Sequence, residues 1–407
     1  VPKESLLIFD LNGSITAANG GWGYPVIAGN LHNFGGRINM HGDLALLASN
    51  QYQKAKARYP NVCGSGLFME AIEQNPGYYE LAFEMPNHAD SIPLQAWLAA
   101  YAERRYGAKS AAAGKAWMYL FEGPYRRGTN GTERSSIVAA RPALNVKKSG
   151  PNAGLGIPYE PMLVIRAQSQ LLKDADKLAY SKPYRFDIVD VQRQMMTNLG
   201  QLVHKKAAEA FASKDKAAFA LHSGRILELL RDMDELLYTR GEISFDRWLT
   251  DARSWGETKE EKDLMDRDAT SLVTIWGADG DPRIFDYSWR EWAGLISGYY
   301  LPRWQKFYTM LQGHLDAGTD YQEEELSLAY GREDFRANDF YNRLAEWELA
   351  YVDQTGKART PVTHGDELVV TRRLFDKYLK LSREYYADFS GVGEIKEERT
   401  YENVGEE

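Results

Sequence analysis

The chain has 407 residues, with 57 acidic against 49 basic side chains and a net charge of −8. Its length accommodates two or three domains, and its charge balance argues against a nucleic-acid partner, because phosphate binding relies on clustered Lys and Arg. No segment approaches the roughly 18 consecutive apolar residues of a membrane span, so no membrane partner is expected. The single cysteine, Cys63, excludes an intrachain disulfide.

The first 90 residues alternate between strand and helix patterns. Strands are predicted for 6–9, 24–27 and 61–66, with a helix over 43–59. The apolar run before Asp10 is typical of a strand buried on both faces, and a crossover helix between two strands indicates a parallel sheet. We interpret 1–90 as the C-terminal portion of a (β/α)8 catalytic barrel. A complete barrel has eight such units, so we expect its N-terminal part on sequence outside this chain.

From residue 91 onward the pattern changes to amphipathic helices. Ser91 and Pro93 mark a helix start, and Gly107 ends that helix. Thr258, three residues before Glu261, is a capping box that opens a later helix. The predicted fold class is therefore α/β followed by all-α, with an all-α domain over 91–388. Residues 389–407 are acidic and are expected to form a flexible tail.

Polar side chains and glycines follow two of the predicted strands. One run is Leu31-His32-Asn33-Phe34-Gly35-Gly36, and the other is Gly64-Ser65-Gly66-Leu67-Phe68-Met69-Glu70. The C-terminal ends of barrel strands converge on one pocket, so these runs predict an active-site rim.

Each candidate residue also has a structural interpretation. Glu70 is suited to act as nucleophile, acid or base, or it merely begins the next helix. Asn33 offers donors and an acceptor for sugar hydroxyl or acetamido groups, whereas His32 and Asn33 together equally fit a buried pair that satisfies loop backbone. We expect a supporting role for Asp10 and an inert, buried thiol for Cys63.

No cofactor is indicated by the sequence. The seven histidines show no His-Glu-x-x-His or similar ligand spacing. A phosphate-binding loop and a convincing dinucleotide fingerprint are also lacking. We therefore expect neither a metal nor an organic cofactor.

The chain resembles the α-N-acetylglucosaminidases of glycoside hydrolase family 89. The resemblance is carried by the two strand-end runs, the second extended to Gln74-Asn75, and covers most of 5–385. It continues through the helical part in Ala102-x-Arg104-Arg105-Tyr106-Gly107, Arg185-Phe186-Asp187-Ile188-Val189-Asp190-Val191, Trp276-Gly277, Ala293-Gly294-Leu295, Tyr299-Tyr300 and Pro302-Arg303-Trp304.

The resemblance implies a barrel followed by an all-α domain, and a retaining exo-glycosidase that removes terminal α-linked N-acetylglucosamine from glycans. Glu70 matches the family's catalytic nucleophile, and the loop with His32 and Asn33 matches a segment bordering the sugar pocket. The family's acid/base glutamate comes from an earlier strand, outside this chain. Relatives carry Trp at the position of Ala28, so the sugar specificity is open at this residue.

The implied partners are a carbohydrate substrate and the N-terminal part of the same enzyme. The alternative is a non-catalytic carbohydrate-binding or scaffold derivative of such an enzyme, which Ala28 and the absent acid/base favour. A glycosidase acting on another α-linked sugar is a third reading. The low cysteine count favours a bacterial periplasmic or secreted location over a lysosomal one.

Overall fold

A parallel three-stranded sheet forms the N-terminal part of the structure. The structure is a computed structural model. It describes residues 1–126, 134–151, 154–277, 284–323, 339–356 and 363–386. The strands are β1 (Ile8–Asp10), β2 (Val26–Asn33) and β3 (Val62–Met69) in the order β1-β2-β3. Phe9 pairs with Ile27, and Leu31 pairs with Phe68. Helical connections between parallel strands confirm the predicted α/β pattern. The predicted acidic tail lies outside the described residues.

The helices of this part are α1 (Ser14–Asn19), α2 (Leu44–Ala48), α3 (Gln51–Arg58) and α4 (Pro76–Glu84). The single helix predicted over 43–59 is wrong, because the chain breaks at Asn50 between α2 and α3. Asn50 has a φ of 57°, and its Nδ2 donates to the carbonyls of His88 (2.9 Å) and Asp90 (3.2 Å). Asparagine tolerates this left-handed backbone, and the side-chain bonds fix it there.

The first strand is more exposed than its sequence predicts. Phe9 is 56% exposed, and Leu6 and Leu7 are also exposed. In the described part of the chain β1 is an edge strand, so nothing covers one of its sides. The expectation of a strand buried on both faces is therefore wrong here.

The remaining helices build the predicted all-α part. Their bounds are α5 Leu94–Tyr106, α6 Ala111–Glu122, α7 Met162–Lys173, α8 Ala175–Leu178, α9 Lys182–Ala212, α10 Lys216–Leu237, α11 Phe245–Arg253, α12 Lys259–Leu272, α13 Leu301–Ala317, α14 Asp339–Val352 and α15 Glu367–Tyr385. Gly107 ends α5 with a φ of 73°, and Thr258 forms the predicted capping box of α12. These two signals define their helix ends correctly. The start predicted at Ser91 is wrong, because α5 begins at Leu94 with Pro93 as its N-cap and without a side-chain cap.

The long helix α9 is the centre of the helical part. It packs against α7, α10 and α15, and most of its first two-thirds is buried. Charged side chains lie on it among apolar ones. Arg193 pairs there with Asp190 at 2.7 Å, and Asp187 accepts two bonds of 2.6 Å from Arg105. Buried charges are tolerated where they are paired and hydrogen-bonded in this way.

Candidate active site

Glu70 lies one residue beyond the end of β3, exposed to solvent. Its Oε2 accepts a hydrogen bond from the backbone N–H of Gly35 at 2.5 Å, and its Oε1 accepts one from the Tyr287 hydroxyl at 3.3 Å. The following helix begins only at Pro76, so Glu70 is not part of a helix start. Both oxygens are thus oriented by donors, while the carboxylate stays accessible.

Two glycines let the loop after β2 approach its neighbours closely. Gly35 and Gly36 have φ values of 64° and 71°, a region that favours glycine. A Cβ on Gly35 would lie 2.5 Å from the Tyr287 carbonyl oxygen. A Cβ on Gly36 would lie 2.2 Å from an Arg290 nitrogen and 2.3 Å from the Ala71 Cβ. Glycine at both positions therefore lets the loop after β2 pack directly against the backbone of Tyr287 and against Arg290 and Ala71.

The residues that approach this loop come from the helical part, in the segment 284–293. Arg37 donates from Nε to the Tyr287 carbonyl at 2.7 Å, and its guanidinium lies 5.3 Å from the Tyr287 ring centroid. The Tyr287 ring also lies 4.5 Å from that of Trp276. No local pattern in the sequence signals Tyr287, because its contact with Glu70 spans 217 residues.

A buried ion cluster holds the backbone just before Tyr287. Asp286, with a φ of 58°, accepts from Arg303 at 2.9 Å. Glu348 accepts from Arg303 at 2.9 Å and from Arg141 at 3.1 and 2.9 Å. All four side chains are fully buried. Burial raises the pKa of Asp286, and the Arg303 guanidinium opposes that rise.

His32 and Asn33 lie behind the rim, in a buried polar network. The His32 ring stacks between His41 and Tyr78, with Nδ1 3.0 Å from the Tyr79 hydroxyl and Nε2 3.1 Å from the His41 carbonyl. Burial, reinforced by the nearby His41, lowers the pKa of His32 well below 6.5, so the ring is neutral at pH 7. Both nitrogens of His32 are therefore used inside the protein.

Asn33 joins the same network through its amide nitrogen. Its Nδ2 donates to the Ala71 carbonyl at 3.2 Å and to the Tyr79 hydroxyl at 2.9 Å. Its Oδ1 is buried and has no hydrogen-bond partner among the described residues. Asn33 thus ties the end of β2 to the backbone that follows Glu70.

The other three residues considered in the sequence, Asp10, Ala28 and Cys63, lie within the strands of the sheet. Asp10 accepts bonds from the N–H (2.8 Å) and hydroxyl of Thr16 at the start of α1, which is a supporting role. Cys63 is the unpaired residue of a bulge in β3 and is exposed, so the expected burial of its thiol is wrong. Ala28 lies mid-strand, opposite Ser65, and five residues of strand put it about 16 Å from Asn33.

Metal-binding groups and membrane-spanning helices are both absent from the described residues. Among them there is no group of three or more His, Cys, Asp or Glu side chains arranged to hold a metal ion. In the same part of the chain, none of the helices has the length and apolar character needed to cross a membrane.

Comparisons with known proteins match both parts of the chain. The family model described as the C-terminal domain of α-N-acetylglucosaminidase (NAGLU) matches residues 97–377, and the model of the NAGLU tim-barrel domain matches 1–89. This order of domains confirms the predicted fold class, a partial barrel followed by a large helical domain.

Similar proteins are known from a human and a bacterial source. Human α-N-acetylglucosaminidase is 32% identical over 391 residues, covering 93% of this chain and 49% of the human protein. A family 89 glycoside hydrolase from Clostridium perfringens, solved in complex with PUGNAc, is 28% identical with a TM-score of 0.82, covering 95% of this chain and 42% of that one.

A second Clostridium perfringens structure carries two Glu→Gln substitutions and holds its substrate GlcNAc-α-1,4-galactose. It is 27% identical to this chain with a TM-score of 0.82, and the match covers 93% of this chain and 42% of that one. The chain thus spans about half the length of the curated relative it matches. The matches over both of its parts show that this chain belongs to the α-N-acetylglucosaminidase family, the glycoside hydrolases of family 89.

Proposed function

We propose that this chain is part of a retaining exo-glycosidase that hydrolyses terminal α-linked N-acetylglucosamine, with Glu70 as the nucleophile. The observation that carries the proposal is the exposed Glu70 carboxylate beyond β3, oriented by the Gly35 N–H and the Tyr287 hydroxyl. A carboxylate held by two donors is pre-organised to attack, since little reorganisation is needed when the bond forms.

In the proposed first step a Glu70 oxygen forms a bond to the anomeric carbon as the bond to the leaving oxygen breaks. A second carboxyl group protonates that oxygen, and retaining enzymes hold the two groups about 5–5.5 Å apart. Water then attacks the glycosyl-enzyme, giving up a proton to the second carboxylate and releasing Glu70. We assign the second carboxyl group to polypeptide outside this sequence, because three strands of an eight-stranded barrel are present in the described part.

For His32 and Asn33 we propose a part in substrate binding that acts through the loop bordering the sugar. Their network joins the end of β2, the Ala71 backbone and Tyr79 of α4. This arrangement supports the loop from behind and fixes the distance between the ends of β2 and β3. Direct contact with sugar is proposed for the exposed Glu70 and for the hydroxyl of the half-buried Tyr287, which donates to it.

The proposed partner of the sheet is the N-terminal part of the same barrel. The rings of Phe9 and Phe68 meet edge to face at 5.9 Å, and the Phe68 ring lies where a Cβ on Gly29 would be. Phe9 is more than half exposed. Closing a barrel buries such an apolar inner face and removes both edges. In a complex of this chain with the remaining strands, the amides of β1 should exchange with deuterium far more slowly than in this chain alone.

The activity is tested in the full-length enzyme that contains this sequence, with an aryl α-N-acetylglucosaminide as substrate. Glu70→Gln should lower turnover on the order of a thousandfold or more, because the nucleophile is lost. Glu73→Gln is the matched control: it is the same substitution at an exposed residue three positions away, and turnover should change little. NMR should show the α-anomer as the first product.

Unchanged turnover in Glu70→Gln would contradict the assignment of the nucleophile. Sugar binding without turnover in the unsubstituted enzyme would instead support a non-catalytic carbohydrate-binding protein. Aryl glycosides of other α-linked sugars test the specificity. We further propose a periplasmic or secreted location, which cell fractionation would test.

A further inference from the structure

Gly35 is bonded on both sides, once to Glu70 and once to the helical domain. Its N–H donates to Glu70 Oε2 at 2.5 Å. Its carbonyl oxygen accepts bonds from the Ser288 hydroxyl and from NH1 of Arg290. Gly35 therefore links the carboxylate of Glu70 directly to Ser288 and Arg290 of the helical part.

Arg290 is suited to hold this carbonyl because its guanidinium is buried and surrounded by acceptors. The residue is 5% exposed. Its NH1 also lies 2.9 Å from the Ser288 carbonyl and 3.1 Å from the Ser288 hydroxyl. Hydrogen bonds from a charged donor are roughly twice as strong as neutral ones. Arg290 therefore binds the Gly35 carbonyl more strongly than Ser288 does.

The fit between Arg290 and the glycine loop leaves no space for a side chain. A Cβ on Gly36 would lie 2.2 Å from NH2 of Arg290 and 2.3 Å from the Cβ of Ala71, the residue after Glu70. The guanidinium, the loop after β2 and the end of β3 are thus in direct contact. A shift of Arg290 would therefore disturb the packing of Gly36 against both Arg290 and Ala71.

The segment that carries Arg290 is itself anchored at both ends. At one end Asp286 binds Arg303 at 2.9 Å. At the other end Glu291, fully buried, accepts bonds from Arg193 of α9 and, at 2.8 Å, from the Thr197 hydroxyl. A site held by such supporting bonds keeps its geometry more accurately than a free loop does.

We propose that Arg290, assisted by Ser288, is a positioning residue for the nucleophile: it holds Gly35 so that its N–H meets the Glu70 carboxylate. This proposal rests on the proposed function of Glu70. It makes the helical domain responsible for the orientation of a barrel residue, through a contact that joins residues 255 positions apart in the chain.

The test measures how fast Glu70 forms a covalent bond. The full-length enzyme is treated with a 5-fluoro glycosyl fluoride of N-acetylglucosamine, and the labelled residue is identified by mass spectrometry. Arg290→Met should slow labelling of Glu70 about 10- to 100-fold, because small misplacements of a reacting group cost about this much. Binding of an N-acetylglucosamine-like iminosugar should change less than about threefold, which makes the effect one on kcat and not on KM.

Two further substitutions at this contact keep the test decisive. Arg290→Lys keeps the positive charge and supplies N–H donors, so it should restore labelling to within about fivefold of the unsubstituted enzyme. Ser288→Ala removes the weaker of the two hydrogen bonds to the Gly35 carbonyl and should slow labelling about 3- to 10-fold. It decides the matter if Arg290→Met does not fold.

The matched control is Arg105→Met, which removes a mostly buried arginine from its pair with Asp187, away from the loop. It should lower stability and leave the labelling rate unchanged. Wild-type labelling rates in Arg290→Met and Ser288→Ala, with Glu70 as the labelled residue, would overturn the positioning role and leave the proposed function intact. Absence of label on Glu70 in the unsubstituted enzyme would overturn both.

Discussion

Replacing Glu348 with Gln should strongly destabilise the helical domain. Glu348 accepts three hydrogen bonds, two from Arg141 and one from Arg303, and all three side chains are fully buried. Gln has the same shape, so no cavity forms. The substitution leaves two guanidinium groups with Asp286 as the remaining carboxylate of the cluster described above, and it turns one acceptor of Arg141 into a donor.

The magnitude follows from the burial. Removing one partner of a buried ion pair costs about 3–5 kcal/mol, because the other charge stays desolvated and uncompensated. At about 2–4 °C per kcal/mol for domains of roughly this size, the midpoint of thermal unfolding should fall by roughly 6–20 °C.

The assay is urea unfolding of this chain followed by circular dichroism. Glu346→Gln is the matched control, because Glu346 is on the same helix, α14, and is exposed. Its free energy of unfolding should change by less than about 0.5 kcal/mol. A loss below about 1 kcal/mol in Glu348→Gln would refute the reasoning, since the cluster would then not depend on its charge balance.

Two further predictions concern the loop glycine and a buried histidine. Gly35→Ala should cost about 2–5 kcal/mol, from a φ of 64° and a Cβ 2.5 Å from the Tyr287 oxygen. Gly13→Ala is the control, because Gly13 has a φ of 77° and no atom would lie within 4 Å of an added Cβ. It should cost about 1–2 kcal/mol in the same urea assay. Equal losses in the two variants would contradict a steric clash at Gly35. Burial lowers the pKa of His204 to about 4. Because the unfolded chain binds that proton near pH 6.5, His204 alone should lower the free energy of unfolding by about 3 kcal/mol from pH 7 to pH 4. The free energy of unfolding of His204→Gln should fall less steeply between pH 7 and pH 4 than that of the unsubstituted chain. Identical slopes in the two proteins would contradict the role of His204.

The local signals in the sequence predicted the three strands and the ends of some helices. Apolar runs gave the three strands, and caps such as Thr258 and Gly107 gave helix ends. These features depend on residues within a few positions of each other. The break at Asn50 escaped prediction because it depends on bonds to His88 and Asp90, about 40 positions away.

The candidate site was predicted only on its barrel side. Glu70 and the glycine loop follow strands, and that pattern is visible in the sequence. Tyr287 and Arg290 reach the same place from more than 200 positions away. No periodicity or spacing encodes which segment of a helical domain will cover a strand end, because that contact depends on how whole domains pack.

The two ion clusters beside this segment suggest why the helical domain is charged inside. A buried ion pair contributes little net stability compared with apolar residues of similar size. Such clusters do require one geometry, because each donor must meet its acceptor. One cluster holds Asp286, next to Tyr287, and the other holds Glu291, next to Arg290. Since both clusters flank the residues that contact Glu70 or Gly35, we infer that these charges fix the position of this segment more than they stabilise the domain.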